Sequence, residues 1–371
     1  MESSHTDVLV IGAGQAGVVL SYYLQRSRIR HVLVEKDRAF SAWNQRWDHF
    51  HLNTANWMNV LPGGARRFVS QASAGGLADR HQAMAYFDDY LSRIKPPLVR
   101  ARVSGLKPHH GSWLVQCIDR SFLAKVVVIC SGAHVRPRLP DWQSRLPDSV
   151  AQIMVPDYRR ANQIKTSRVL VAGSGSSGMQ ICHDLARSGR FKRVFLARGR
   201  NRHFPWRLLG IPIHTIAWGL GLFNIRRDSW LGRRMHTHTH ASDPAAPPGP
   251  RRLRRQYGVS IKPRVVGYHD GQLLCADGSR VDTHDTTIVW CTGLKPDFGF
   301  IDAAIADRLV DRYGLPKQHQ GVSALPGLYF LGMRFQSTVG SHILYGIGRD
   351  ARYIAEHIND YLHQEDRVDH S

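Results

Sequence analysis

RVLVAGSGSSGMQICHDLARSGRFKRVFLARGR (residues 168–200) decides how the rest of the chain is read. An apolar run leads into a turn whose glycines are Gly173, Gly175 and Gly178. Ser176 and Ser177 open an amphipathic stretch, and a second apolar run, RVFLA, closes the unit before Arg198 and Arg200. Strand, glycine turn, helix and strand in this order form a dinucleotide-binding unit. One glycine permits the tight turn, one lets the backbone approach a pyrophosphate, and one lets helix and strand pack closely. The start of the chain has the same grammar. DVLVIGAGQAGVVLSYYLQRSRIRHVLVEK (residues 7–36) carries Gly12, Gly14, Gln15, Ala16 and Gly17 in its turn. Two such units predict an α/β fold with two Rossmann-like dinucleotide-binding domains, the second inserted into the first.

The units differ at the end of their second strand. Glu35, followed by Lys36, stands 23 residues after Gly12, where a carboxylate accepts hydrogen bonds from a ribose diol. That suits FAD. The second unit has Arg198 and Arg200 there and no acid between Arg193 and Asn201. Guanidinium groups pair with a 2′-phosphate that a carboxylate would repel, so the second nucleotide is expected to be NADPH. A plain solvated basic face is the competing reading of these arginines.

A chain of 371 residues has room for two cores. Its 50 Lys and Arg against 29 Asp and Glu leave a net charge of +21, which raises nucleic acid or an anionic membrane as a partner. The charge is dispersed, with one compact cluster at Arg251, Arg252, Arg254 and Arg255. Two phosphate-rich cofactors account for much of it, and nucleic acid is not expected. The five cysteines contain no CxxC pair, which argues against a zinc site and a redox dithiol. No metal is expected: His236, His238 and His240 alternate, but no acid or cysteine lies close enough to complete a site. The N-terminus has no secretory pattern, and the weakly polar stretch 208–223 is too short to cross a bilayer, so the expectation is a cytoplasmic protein.

Between the units lies SAWNQRWDHFHLNTANWMNVLP (residues 41–62), rich in tryptophan, histidine and asparagine. An alternating stretch follows at 99–119, then an apolar run into Ser131-Gly132. Beyond the second unit an aromatic, basic, proline-broken region reads as short helices over the cleft. A second apolar run then enters Cys291-Thr292-Gly293 and KPDF (residues 295–298). Together these segments resemble class B flavin-containing monooxygenases over nearly the whole chain. The resemblance implies an FAD domain at 1–150 and 285–371, and an NADPH domain at 151–284 with a lid-like insert near 203–257. It makes Trp43 and Trp47 a wall over the flavin. It makes Asn53 and Thr54 the catalytic candidates beside its reactive edge, although a local turn also explains Asn53. Ser131, Gly132, Thr292 and Gly293 become cofactor-side crossings, and Tyr158 the aromatic of a fingerprint whose histidine position holds Met154.

The implied reaction is reduction of FAD by NADPH, addition of O2 at flavin C4a as a hydroperoxide, and transfer of one oxygen atom to a small-molecule substrate. That transfer would be N- or S-oxygenation or of Baeyer–Villiger type. An NADPH-dependent flavin reductase without oxygen transfer and a non-enzymatic basic binding protein stay open as alternatives. So do a homodimer and peripheral membrane contact through the tryptophans of the insert.

Overall fold

The structure is a computed structural model that describes residues 3–65, 75–199, 206–236 and 247–368. The apolar runs around the first glycine turn become the strands Ser3–Ile11 and His31–Glu35. They pair in parallel with Val8 opposite His31 and Ile11 opposite Val34. Around them the parallel core runs Leu98–Arg100, His31–Glu35, Ser3–Ile11, Ser121–Ile129, Leu328–Phe330. Successive side chains of one strand enter opposite layers. Val8 and Val10 join the core with the helices Gln15–Arg26 and Leu344–Val368, while Leu9 and Ile11 pack with Trp113 and Val115 of an antiparallel excursion. Burial on both faces is why the central strands read as unbroken apolar runs. The excursion is the hairpin of Val103–His109 and Ser112–Cys117, turning at His110 and Gly111.

The second unit builds its own sheet, five strands in parallel. They run Ser260–Lys262, Arg193–Ala197, Arg168–Ala172, Thr286–Trp290, Gln152–Met154. Two expected boundaries are corrected by this sheet. Thr286–Trp290 lies inside it, so the return to the first sheet starts at Cys291 and not at 285. Helix Pro250–Tyr257 is no part of a lid. It buries Leu253 against the core beside helix Ser176–Arg187 and feeds strand Ser260–Lys262, as the crossover of a parallel pair must. The described part of the insert is residues 206–236. It contains the hairpin Arg207–Leu208 with Ile211–Pro212 and the helices Ile213–Gly219 and Trp230–His236.

The two passages between the sheets are paired with each other. Leu294 stands opposite Pro137 and Lys295 opposite Arg136 in an antiparallel ribbon, with Val135 N–H donating to the Lys295 carbonyl at 3.0 Å. The ion pair of Arg136 with Asp297, at 2.8 Å, lies on the same ribbon. The insert is tied to the loop before the last helix by Arg227 N–H donating to the Ser337 carbonyl at 2.8 Å and Gly340 N–H to the Phe223 carbonyl at 2.9 Å.

Candidate functional site

The two glycine turns are built alike. Gly12 has φ +107° and Gly173 φ +115°, a region that side chains avoid. A Cβ on Gly12 would lie 2.6 Å from the carbonyl oxygen of Cys130, and one on Gly173 would strike the carbonyl of Cys291. Gly17 and Gly178 press on the carbonyls of Gly12 and Gly173 in turn. In each unit, therefore, the third glycine seats the helix on the turn, and the turn lies against the crossing that ends in Gly132 or Gly293, both at positive φ.

Gly14 is different. Its backbone, φ −76° and ψ −170°, suits any residue, and a Cβ there would meet nothing within 4 Å. It faces a cradle that the protein leaves open. Three buried polar atoms near the turns and crossings, Gln15 Oε1, Ser131 Oγ and Ser176 Oγ, find no hydrogen-bond partner among the described residues. Buried polar groups are almost always bonded, so such atoms call for a ligand. Glu35 is held in place from behind: its Oε2 accepts from Ala13 N–H at 2.9 Å and its Oε1 from Asp37 N–H at 3.0 Å. An open cradle, unmatched buried oxygens and a braced carboxylate at a helix N-terminus fit a dinucleotide. Lys36 is exposed beside it, and Ala16 is buried in the helix.

The second turn is closed off by its neighbours in the same way. Gly199 N–H donates to Ser174 Oγ at 3.2 Å, and Arg198 N–H to the Lys262 carbonyl at 2.8 Å. Arg198 is exposed at the end of strand Arg193–Ala197, next to Lys262 on the adjoining strand, a second cation the linear sequence did not flag. Arg200, His238 and His240 lie outside the described residues.

The aromatic loop joins the two halves. Gln180, on helix Ser176–Arg187, is 4% exposed and reaches across to it. Its Nε2 donates to the His51 carbonyl and to Asn53 Oδ1, both at 3.0 Å, while its Oε1 accepts from His51 N–H at 3.2 Å. Because Asn53 is fastened by its oxygen, its amide N–H groups are the free end. Thr54 adjoins it but is occupied: its hydroxyl donates to Asn59 Oδ1 at 2.5 Å, and Asn59 Nδ2 donates back to the Thr54 and Ala55 carbonyls at 3.1 Å. Thr54 therefore shapes the loop. Thr292 is engaged likewise, its hydroxyl donating to the Arg138 carbonyl.

One expected cofactor contact, Tyr158, is corrected. Trp47, 1% exposed, packs edge-on to Phe50 with ring centroids 5.2 Å apart, and its buried indole Nε1 finds no partner among the described residues; Trp43 is half-buried against Phe50 and Phe87. Tyr158 is fully buried and its hydroxyl donates to Asp184 Oδ2 at 2.6 Å, while His49 Nδ1 meets Asp184 Oδ1 at 2.6 Å. The aromatic spacing after Met154 thus serves the junction: a carboxylate on the second unit's helix gathers the linker and the aromatic loop. Met154 itself sits opposite Trp290 on the sheet's last strand. Tyr158→Phe removes one of the two donors from this buried carboxylate. It is expected to lower unfolding stability by about 1.5–3 kcal/mol, read from urea midpoints at unchanged slope.

The crossing after Gly132 is electropositive. Burial, then the charges of Arg46, Arg334 and Arg138, push the His134 imidazole down to about 4, so it is neutral at pH 7. His342 lies opposite with ring centroids 6.3 Å apart. A separate cavity of about 640 Å³ opens between Arg226, Arg227 and Asp228 of the insert and Gln318, Gln336 and Arg349; no glycine-turn residue lines it.

Residues 9–203 match the model of the family described as pyridine nucleotide-disulphide oxidoreductase. The chain is 31% identical over 359 residues to an uncharacterised CzcO-like oxidoreductase of Geobacillus kaustophilus, covering 96% of this chain and 98% of that one. Its fold is similar to that of a flavin-containing monooxygenase from Stenotrophomonas maltophilia (TM-score 0.75, 22% identity, 97% and 99% of the two chains). It is also similar to that of an ornithine N-hydroxylase from Kutzneria sp. 744 (TM-score 0.73, 16% identity, 96% and 99%). Both of those are two-dinucleotide α/β architectures, the class expected from the repeated glycine turns.

Proposed function

The chain belongs to the pyridine nucleotide-disulphide oxidoreductase family, as an oxidoreductase of flavin-monooxygenase type, and from that premise we propose that it is an NADPH- and FAD-dependent monooxygenase acting on a small organic substrate. A bound FAD would supply the redox chemistry, taking hydride from NADPH and making the electrons available to dioxygen, so that one oxygen atom could reach the substrate and the other leave as water. The first turn with Gln15, Glu35 and Ser131 would hold FAD. The second turn with Ser176, Arg198 and Lys262 would hold NADPH.

The family also contains disulfide chemistry, which needs a reachable thiolate. All five cysteines are buried and unpaired. Burial pushes every thiol up, Cys117 to about 11 and Cys130, Cys182 and Cys291 beyond it. The side chains therefore disfavour a dithiol relay of the disulfide-reducing kind.

The observation that carries the reading is the grip of Gln180 on Asn53. A neutral amide whose N–H faces outward can donate a hydrogen bond to a developing anion without giving up a proton. Gln180 is a positioning residue here. Gln180→Leu is expected to raise hydrogen peroxide released per NADPH about tenfold while the rate of flavin reduction falls less than about threefold. An equal loss in both would place Gln180 in packing alone.

The reaction is tested by screening amines, sulfides and ketones for stimulated NADPH consumption under isotopically labelled dioxygen. One labelled oxygen per product supports the reading. NADPH consumption that ends wholly in hydrogen peroxide overturns it, and favours the second reading, an NADPH-dependent flavin reductase, to which Met154 in place of the fingerprint histidine points.

A further inference from the structure

The insert 206–236 exposes apolar side chains that nothing in the reaction above uses. Leu209 is 95% exposed, Leu220 and Trp230 70%, Leu208 54% and Ile211 48%. The hairpin pairs Leu208 with Ile211, so its two-residue loop is Leu209-Gly210, with φ +49° and +79°. Loops with both residues at positive φ favour Asn or Gly, because a Cβ is strained there. Leucine at the first position costs conformational energy and sets a whole apolar side chain at the apex, where it packs against nothing. Stability of the isolated chain does not explain that choice.

The charges around the apex are one-sided. The insert carries Arg207, Arg226, Arg227, Arg233 and Arg234 against a single acid, Asp228, which Arg226 already holds at 2.7 Å. Arg207 sits at the base of the hairpin, opposite Pro212. A second copy of this chain would have to cover the face through a self-complementary contact, bringing the same arginines together with no free acid among the described residues of the insert to meet them. Anionic headgroups supply the missing charge, and their depth admits leucine and tryptophan side chains.

We propose that the insert docks on an anionic lipid bilayer, with the Leu208–Ile211 apex and Trp230 entering the headgroup region and the arginines held by lipid phosphates. The surface stands apart from the reaction proposed above and fails or survives without it. Trp218 of the insert rests edge-on against Trp57 of the aromatic loop, with centroids 4.8 Å apart, so the docked insert would also touch the loop that carries Asn53.

The full chain loaded with FAD is spun with vesicles of phosphatidylcholine, alone or mixed with phosphatidylglycerol. It is expected to sediment with the mixed vesicles, to stay in solution with the neutral ones, and to be released by added salt. Leu209→Asp combined with Trp230→Ser is expected to lower the bound fraction about tenfold, with flavin content and NADPH oxidation in solution unchanged. Arg207→Glu with Arg233→Glu is expected to do the same, and guards against an effect of one substitution on local folding. Three outcomes overturn the proposal: equal partition to both vesicle types, undiminished binding of both double variants, or a wild-type dimer in sedimentation equilibrium that Leu209→Asp with Trp230→Ser dissolves. The last would assign the face to a second copy.

Discussion

Gly14→Val is expected to give a folded, colourless protein. The first and third glycines of the turn cannot report cleanly on nucleotide binding, because a Cβ on Gly12 or Gly17 collides with backbone that the fold itself needs. Gly14 separates the two effects. Its φ of −76° is ordinary for valine, and a Cβ at that point meets no protein atom within 4 Å, so the apo chain has room for the change and loses only about 1 kcal/mol of N-cap preference. What a branched side chain fills is the cradle at the N-terminus of helix Gln15–Arg26, where backbone amides would approach the FAD pyrophosphate. Loss of that approach removes several charge-assisted hydrogen bonds of about 1.5–3 kcal/mol each, so affinity falls by about three orders of magnitude or more. Far-ultraviolet dichroism should match wild type and the apo melting curve should shift by only a few degrees, while flavin absorbance after desalting should vanish. A yellow Gly14→Val protein would mean that the first turn does not hold the flavin.

Arg198→Ala is expected to change which nicotinamide coenzyme the enzyme accepts. The guanidinium stands exposed at the end of its strand, with Lys262 beside it and no carboxylate between Arg193 and Asn201. A 2′-phosphate would gain a charge-assisted contact there, and NADH has no group to place in it. Removing the guanidinium should lower kcat/KM for flavin reduction by NADPH about 10- to 100-fold and leave the value for NADH within about twofold. Lys262 keeps the loss from being larger, and the double change Arg198→Ala with Lys262→Ala should deepen it. Equal losses with both coenzymes would discard the 2′-phosphate assignment.

The parts legible in sequence are those whose requirement falls on the backbone. Only glycine meets the positive φ at Gly12 and Gly173 and the contacts at Gly17 and Gly178, so the two turns, and with them the doubled fold, stand in the sequence as letters. Glu35 is readable for a related reason: its distance from the turn is set by one strand, one helix and the next strand. Side chains that meet across the chain leave no such trace. Gln180 and Asn53 are 127 positions apart, and Tyr158 and Asp184 are 26 apart. No periodicity ties either pair, which is why Tyr158 reads as a cofactor aromatic when it is the cover of a buried carboxylate. Helix Pro250–Tyr257 reads as part of the lid because it buries Leu253 and surrounds it with arginine, too few apolar residues to mark a face. The boundary at 285 misses the strand for the opposite reason. An apolar strand runs straight into a glycine crossing, and nothing local says to which sheet the strand belongs.

The ribbon of residues 135–138 and 293–295 has a mechanical consequence. Two chain passages bonded side by side cannot twist independently, so a rotation of the second sheet against the first has to turn both together. Gln180 stands on the second unit's helix and Asn53 on the loop that follows the first unit. A rotation that parted the two sheets would therefore break the bond that holds the Asn53 amide.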